Sequence, residues 1–135
     1  MFKTVLFPVD QSREAREAAD VVTNIVQKYG SRLVLLSVVE PAEGESDNSD
    51  TMTSPEAVAE LLKTAQSLFA KQGITADVIE REGKAAFTIC DVADEINANL
   101  IVMGSRGLGL TEEGATESIT YRVINLSPCP VLIVP

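Results

Sequence analysis

Six consecutive residues, Gly104-Ser105-Arg106-Gly107-Leu108-Gly109, combine three glycines with one cation and one hydroxyl. Glycine lets backbone N–H groups approach an anion with no Cβ in the way, and a helix opening just beyond adds unsatisfied donors and a partial positive charge. Ser118 and Thr120 stand where such a helix would start, and phosphate is the anion this set suits. Asp10, which ends an apolar run at the amino terminus, is the other polar residue placed to contribute. The loop lacks the Gly-Lys-Ser/Thr ending of a P-loop. Each feature also has a plainer reading. Glycines gather in ordinary turns, and Asp10 can cap a helix starting near Ser12. Arg106 can form a surface ion pair with Glu112 or Glu113. Ser118 and Thr120 can be an N-cap and a solvated helix residue.

These residues need elements to hold them. Thr4 to Val9 is an apolar run of β-formers, and from Ser12 the apolar positions Ala15, Ala18, Ala19, Val22, Ile25, Val26 and Tyr29 recur at helical spacing. Gly30 stands as the C′ residue of that helix, and Leu33 to Val39 is a second strand, so Thr4 to Val39 reads as a βαβ unit. Pro41 to Thr53 is polar and without periodicity, as a surface loop is. Ser54-Pro55-Glu56 then supplies an N-cap, a first-turn proline and an acid at the positive helix end, ahead of Val58, Leu61, Leu62, Ala65, Leu68 and Phe69. Gly73 stops that helix, and Ile74 to Arg81 alternates as a strand. Lys84 to Asn97 places Ala86, Ile89, Cys90, Ala93 and Ile96 on one side of a further helix. Leu100 to Met103 is a short apolar strand, Ser118 to Leu126 a brief helix, and Val131 to Val134 the last strand.

Strands alternating with helices imply right-handed crossovers and a parallel sheet. The expected fold is α/β: a single domain over residues 1–135 with an open five-stranded parallel sheet, flavodoxin/Rossmann-like, in the order 3-2-1-4-5, with helices on both faces. Ligands of such sheets bind beyond the carboxyl ends of the strands where the winding reverses, and that point would hold both Asp10 and Gly104.

Composition removes other classes. A formal charge of −9 repels a polyphosphate backbone and leaves no basic stripe for DNA or RNA. The chain has no histidine, which excludes a Ser-His-Asp triad, a Cys-His pair and histidine metal sites. Cys90 and Cys129 follow neither zinc nor redox spacing and read as packed thiols in a reducing cytosol. No apolar segment is long enough to span a bilayer, and Met1 to Asp10 reads as a strand and not a signal peptide, so the expected location is cytoplasmic. The apolar Val131 to Val134 strand would form a sheet edge, which pairing with a second copy would cover.

Taken together, four segments resemble the universal stress protein family along the whole chain. Val5-Leu6-Phe7-Pro8-Val9-Asp10-Gln11-Ser12 looks like its first strand, and Gly83-Lys84-Ala85-Ala86 resembles its Gly-x-Pro-Ala helix opening. Asn99 to Gly107 is similar to its Asp-Leu-Ile-Val-Met-Gly-Ser-Arg-Gly segment, and Ser127-Pro128-Cys129-Pro130-Val131-Leu132-Ile133-Val134 to its closing strand. The resemblance implies a homodimer paired through the last strand and, in one branch, bound ATP. That branch carries G-x2-G-x9-G-[ST]. Gly104, Gly107 and Ser118 match with the spacing kept, whereas Glu117 replaces the third glycine.

The site implied by the resemblance draws on Pro8, Val9, Asp10, Val38, Met103, Gly104, Arg106, Gly107, Gly109, Glu117, Ser118, Ile119 and Thr120. Asp10 would contact the adenosine end and the Val38 backbone the adenine. Gly104, Arg106 and Gly107 would hold the phosphates, and Ser118 and Thr120 the terminal ones. A carboxylate about 4 Å from a phosphate charge costs roughly 4 kcal/mol at an effective dielectric near 20, enough to cancel about two charged hydrogen bonds. Three resolutions stand open: Glu117 faces solvent, it binds Mg²⁺ bridging to the phosphates, or the pocket takes AMP or ADP in place of ATP. The functional expectation is an adenine-nucleotide-binding regulatory stress-response protein. Its alternatives are a nucleotide-free dimeric interaction module and a slow ATPase or autophosphorylating protein. The chain offers no clear general base other than Asp10 or Glu117 and no cation with an assured place on a γ-phosphate, so catalysis ranks last.

Overall fold

Leu33, Val34, Leu35 and Leu36 are all fully buried, although successive strand residues point to opposite faces. Such a run belongs to a strand with helices on both sides. In the computed structural model, which describes residues 1–9, 13–39, 55–104 and 119–135, that strand is β2 (Arg32–Val39). Around it come β1 (Thr4–Pro8), α1 (Arg13–Tyr29), α2 (Pro55–Ala70), β3 (Ala76–Glu82), α3 (Ala85–Glu95), β4 (Leu100–Gly104), α4 (Ile119–Leu126) and β5 (Val131–Val134). All strand pairs are parallel, and the order is β3-β2-β1-β4-β5. The expected architecture and strand order are therefore those observed.

The sheet separates two apolar layers. Val5, Phe7, Leu33, Leu35 and Val102 pack with Ala18, Val22 and Val26 of α1 and Val58, Leu62 and Phe69 of α2. Phe7 and Phe69 meet edge to face with ring centroids 6.1 Å apart, the arrangement favoured by the ring quadrupoles. On the other face Leu6, Val34, Leu36, Ile101 and Met103 pack with Ile89, Val92 and Ala93 of α3 and Val123 of α4.

Several boundaries differ from expectation for local reasons. The N–H of Ile74 donates to the Phe69 carbonyl at 3.0 Å, closing the end of α2, so β3 begins two residues later than its apolar pattern suggested. Lys84 is the extended N-cap of α3 and Asn97 has a positive φ of 57°, so both flank the helix they were expected to join. Leu68 is 56% exposed and is not part of the α2 stripe, and Cys129 is only partly buried. The Pro41 to Thr53 loop and the Ser54 cap lie outside the described residues.

Two turns depend on glycine. Gly30 ends α1 at φ +64°, with open space where a Cβ would stand. Gly83 joins β3 to α3 at φ +149°, and a Cβ there would lie 2.8 Å from the Thr88 hydroxyl oxygen. The Gly83 N–H donates to the Val39 carbonyl at 3.0 Å, which pins this turn beside the end of β2. Gly30→Ala should cost about 1 kcal/mol, the price of a left-handed alanine. Gly83→Ala, which adds a steric conflict, should cost about 2–3 kcal/mol, both read from urea unfolding.

Candidate functional site

Because all five strands are parallel, their carboxyl ends share one rim, and the winding reverses between β1 and β4. At that place the sheet is unevenly paired. β1 matches β2 over five positions, Thr4↔Arg32 to Pro8↔Leu36, but matches β4 only at Val5↔Leu100 and Leu6↔Ile101. Beyond Leu6 and Ile101 the two strands continue, to Pro8 and Gly104, without ladder pairs between them. That uneven pairing marks the place where a sheet of this winding forms its binding crevice.

Backbone groups from three strands border it. Val9 follows β1 and donates its N–H to the Leu36 carbonyl at 2.8 Å. β2 runs on past Leu36 to Val39, so Val38 lies beyond the end of β1. Residues of β2 with the parity of Arg32 and Leu36 turn their backbone groups toward β1, and Val38 shares that parity. Gly104 ends β4, and its carbonyl accepts a hydrogen bond from the Thr120 hydroxyl at 3.1 Å. Thr120 is 3% exposed. This bond ties the first turn of α4 to the end of β4. It also commits the one hydroxyl proton of Thr120, which thereby fastens the two ends of the intervening loop.

Pro8, Val9, Val38, Met103, Gly104, Ile119 and Thr120 are thus on or beside one rim. Their side chains do not all converge. Val9 packs into the α1/α2 layer and Met103 into the α3/α4 layer, while Ile119 is exposed, so these three can contribute backbone more readily than side chain. Asp10, Arg106, Gly107, Gly109, Glu117 and Ser118, with Glu112 and Glu113, lie outside the described residues.

One residue at this rim escaped the sequence reading. Ser37 is 1% exposed, and its hydroxyl has no hydrogen-bond partner among the described residues. It follows Leu36 and has the parity of Leu33, Leu35 and Val39, which face α1 and α2. A single hydroxyl inside the apolar run Leu33 to Val39 was the available signal. Away from the rim, burial raises the thiol pKa values of Cys90 and Cys129 above the ordinary range, against a lowering by the Ser127 hydroxyl at Cys129. Both thiols stay neutral near pH 7, as expected of packed cysteines.

Comparison with known proteins adds to this geometry. The family model described as the universal stress protein family matches residues 1–135. Universal stress protein Sll1654 of Synechocystis sp. is 64% identical over 136 residues, covering 100% of this chain and 87% of that protein. Universal stress protein UspA from Lactobacillus plantarum superposes with a TM-score of 0.79 at 25% identity, over 99% of this chain and 98% of the other. A universal stress protein solved in complex with cAMP gives a TM-score of 0.76 at 26% identity, over 99% and 97% of the two chains.

The Thr120 to Gly104 bond is directly testable. Thr120→Val should lower unfolding free energy by about 1 kcal/mol, because the part-buried Gly104 carbonyl loses its donor. Thr120→Ser, which keeps the hydroxyl, should recover most of the loss in the same urea titration.

Proposed function

Because the chain belongs to the universal stress protein family, we infer that it is an adenine-nucleotide-binding regulatory protein of the cytoplasmic stress response, acting as a homodimer. The observation that carries this reading is the parting of β1 and β4 at the reversal of the sheet. There the backbones of Val38 and Gly104 border one crevice, and the glycine-rich stretch departs from its β4 side. The relative solved with cAMP supports an adenine nucleotide as the occupant.

In this reading Asp10 holds the adenosine end and the Val38 backbone meets the adenine edge. Pro8, Val9 and Met103 frame the crevice. Gly104, Arg106, Gly107 and Gly109 receive the phosphates, with Ser118 and the backbone of Ile119 at the helix start. Thr120 keeps the loop ends together. Glu117, placed where the ATP-binding branch has glycine, sets how much phosphate charge the site accepts. Without a divalent cation it favours AMP or ADP, and Mg²⁺ bridging Glu117 to the phosphates would admit ATP.

Calorimetry with AMP, ADP and ATP, each with and without Mg²⁺, tests the assignment. Metal-free ATP should bind at least about tenfold more weakly than AMP. Glu117→Gly should raise ATP affinity by about tenfold or more. Absence of binding to all three at millimolar concentration would sink the reading. If Glu117→Gly alone then binds ATP, the chain is instead a nucleotide-free interaction module, the reading favoured by the substituted glycine.

The homodimer is proposed to pair through Val131 to Val134. In support, β5 ends the sheet order, Leu132 is 36% exposed, and Ile119, Tyr121, Ile124 and Leu126 of the nearby α4 are exposed apolar side chains. Sedimentation velocity should find a dimer for the parent and a monomer for Leu132→Glu, with an unchanged circular dichroism spectrum.

A further inference from the structure

The early end of the β1–β4 ladder has a chemical cause in the chain itself. Along β1, residues alternate between neighbours: the Lys3 carbonyl accepts from Arg32 and the Val9 N–H donates to Leu36, so odd positions serve β2. Thr4 instead donates its N–H to Asn99 Oδ1 and accepts from the Asn99 N–H, so even positions serve β4. On the facing strand, Ile101 donates its N–H to Pro130 beside β5, leaving Leu100 and Val102 turned toward β1. The rung after Leu6↔Ile101 therefore requires an N–H at position 8 and the carbonyl of Val102. Position 8 is proline, which has no N–H.

Proline is ordinarily kept out of central strands for this reason. Here β1 is the middle strand of five, and its proline stands at the switch point with its donorless edge toward the crevice. The face toward β2 is unaffected, since Pro8↔Leu36 is kept in register. Hydrogen-bonded strands lie about 4.8 Å apart, so continuing the ladder through position 8 would draw Met103 and residue 8 to that spacing.

We propose that Pro8 is a positioning residue whose missing N–H stops the β1–β4 ladder and holds the crevice open at the width an adenine nucleotide needs. The inference rests on the nucleotide reading above, but its first half stands on the ladder alone. It also assigns the Val102 carbonyl, buried and deprived of its strand donor, as a backbone acceptor on the crevice side of β4.

The test is Pro8→Ala, with Pro8→Val as a second, β-branched variant, each compared with the full-length parent. Backbone amide exchange by NMR should find the amide introduced at position 8 protected about as strongly as that of Leu6. AMP affinity by calorimetry should fall at least about tenfold, while the thermal midpoint stays within about 4 °C of the parent. A merely structural proline would lower affinity and midpoint together. Free exchange at position 8 in both variants overturns the proposal, as does protection there with AMP affinity within about twofold of the parent. If the parent binds no adenine nucleotide, the functional reading falls and exchange alone decides the ladder: protection supports the stop, and free exchange overturns it.

Discussion

Every backbone N–H and C=O in a buried strand has to find a partner, and β1 divides its own between β2 on one side and β4 on the other. The winding of the chain follows from that division. Crossovers carry the first half of the sheet outward through β2 and β3 and the second half through β4 and β5, so both halves turn away from β1. Helices then cover opposite faces, and among the described residues no helix or strand spans the place where the halves separate. Topology sets the winding reversal at that point, and the β1–β4 ladder stops there after Leu6 and Ile101.

Energetics and function meet at the same few atoms. The interior is two apolar layers built almost wholly from aliphatic side chains, with Phe7 on Phe69 as the aromatic exception at the centre. These layers hold the strands rigidly up to the rim. At it, hydrogen bonds add to that packing: Val9 to Leu36, Gly83 to Val39, Thr120 to Gly104. Such bonds are each worth little in net stability, so the packing of Val9 and Val39 carries most of the anchoring at the rim.

Much of this architecture was legible in the residues, and the misses have causes. Val131 to Val134 appears as expected because prolines at 128 and 130 leave little choice of starting point. Ile74 misled because an apolar residue after a glycine can close the preceding helix as readily as begin a strand. Leu68 misled because helical spacing tolerates one exposed apolar position. At the rim, Gly104 was readable from the alternation of strands and helices and Thr120 from its place at the helix start, whereas Pro8 and Val38 entered through the family resemblance. What the pattern could not supply was hydrogen-bond direction: that Thr120 serves Gly104, or that Ser37 is buried with no partner among the described residues, depends on three-dimensional parity.

The two outer strands of the sheet are chemically unlike. β3 carries Asp77, Glu80, Arg81 and Glu82, with Arg32 bound to Asp77 at 2.9 Å and the guanidinium of Arg81 gripping both carboxylate oxygens of Glu95 at 3.2 and 2.9 Å. The hydrogen bonds from Arg81 hold the Glu95 carboxyl below its usual range, so this charge persists into mildly acidic solution. Such a margin resists the addition of a further strand, whereas β5 has no charged residue. Growth by head-to-tail stacking needs two compatible margins, and only one is offered. The charged margin thereby guards one side of the sheet against strand-by-strand growth into fibres.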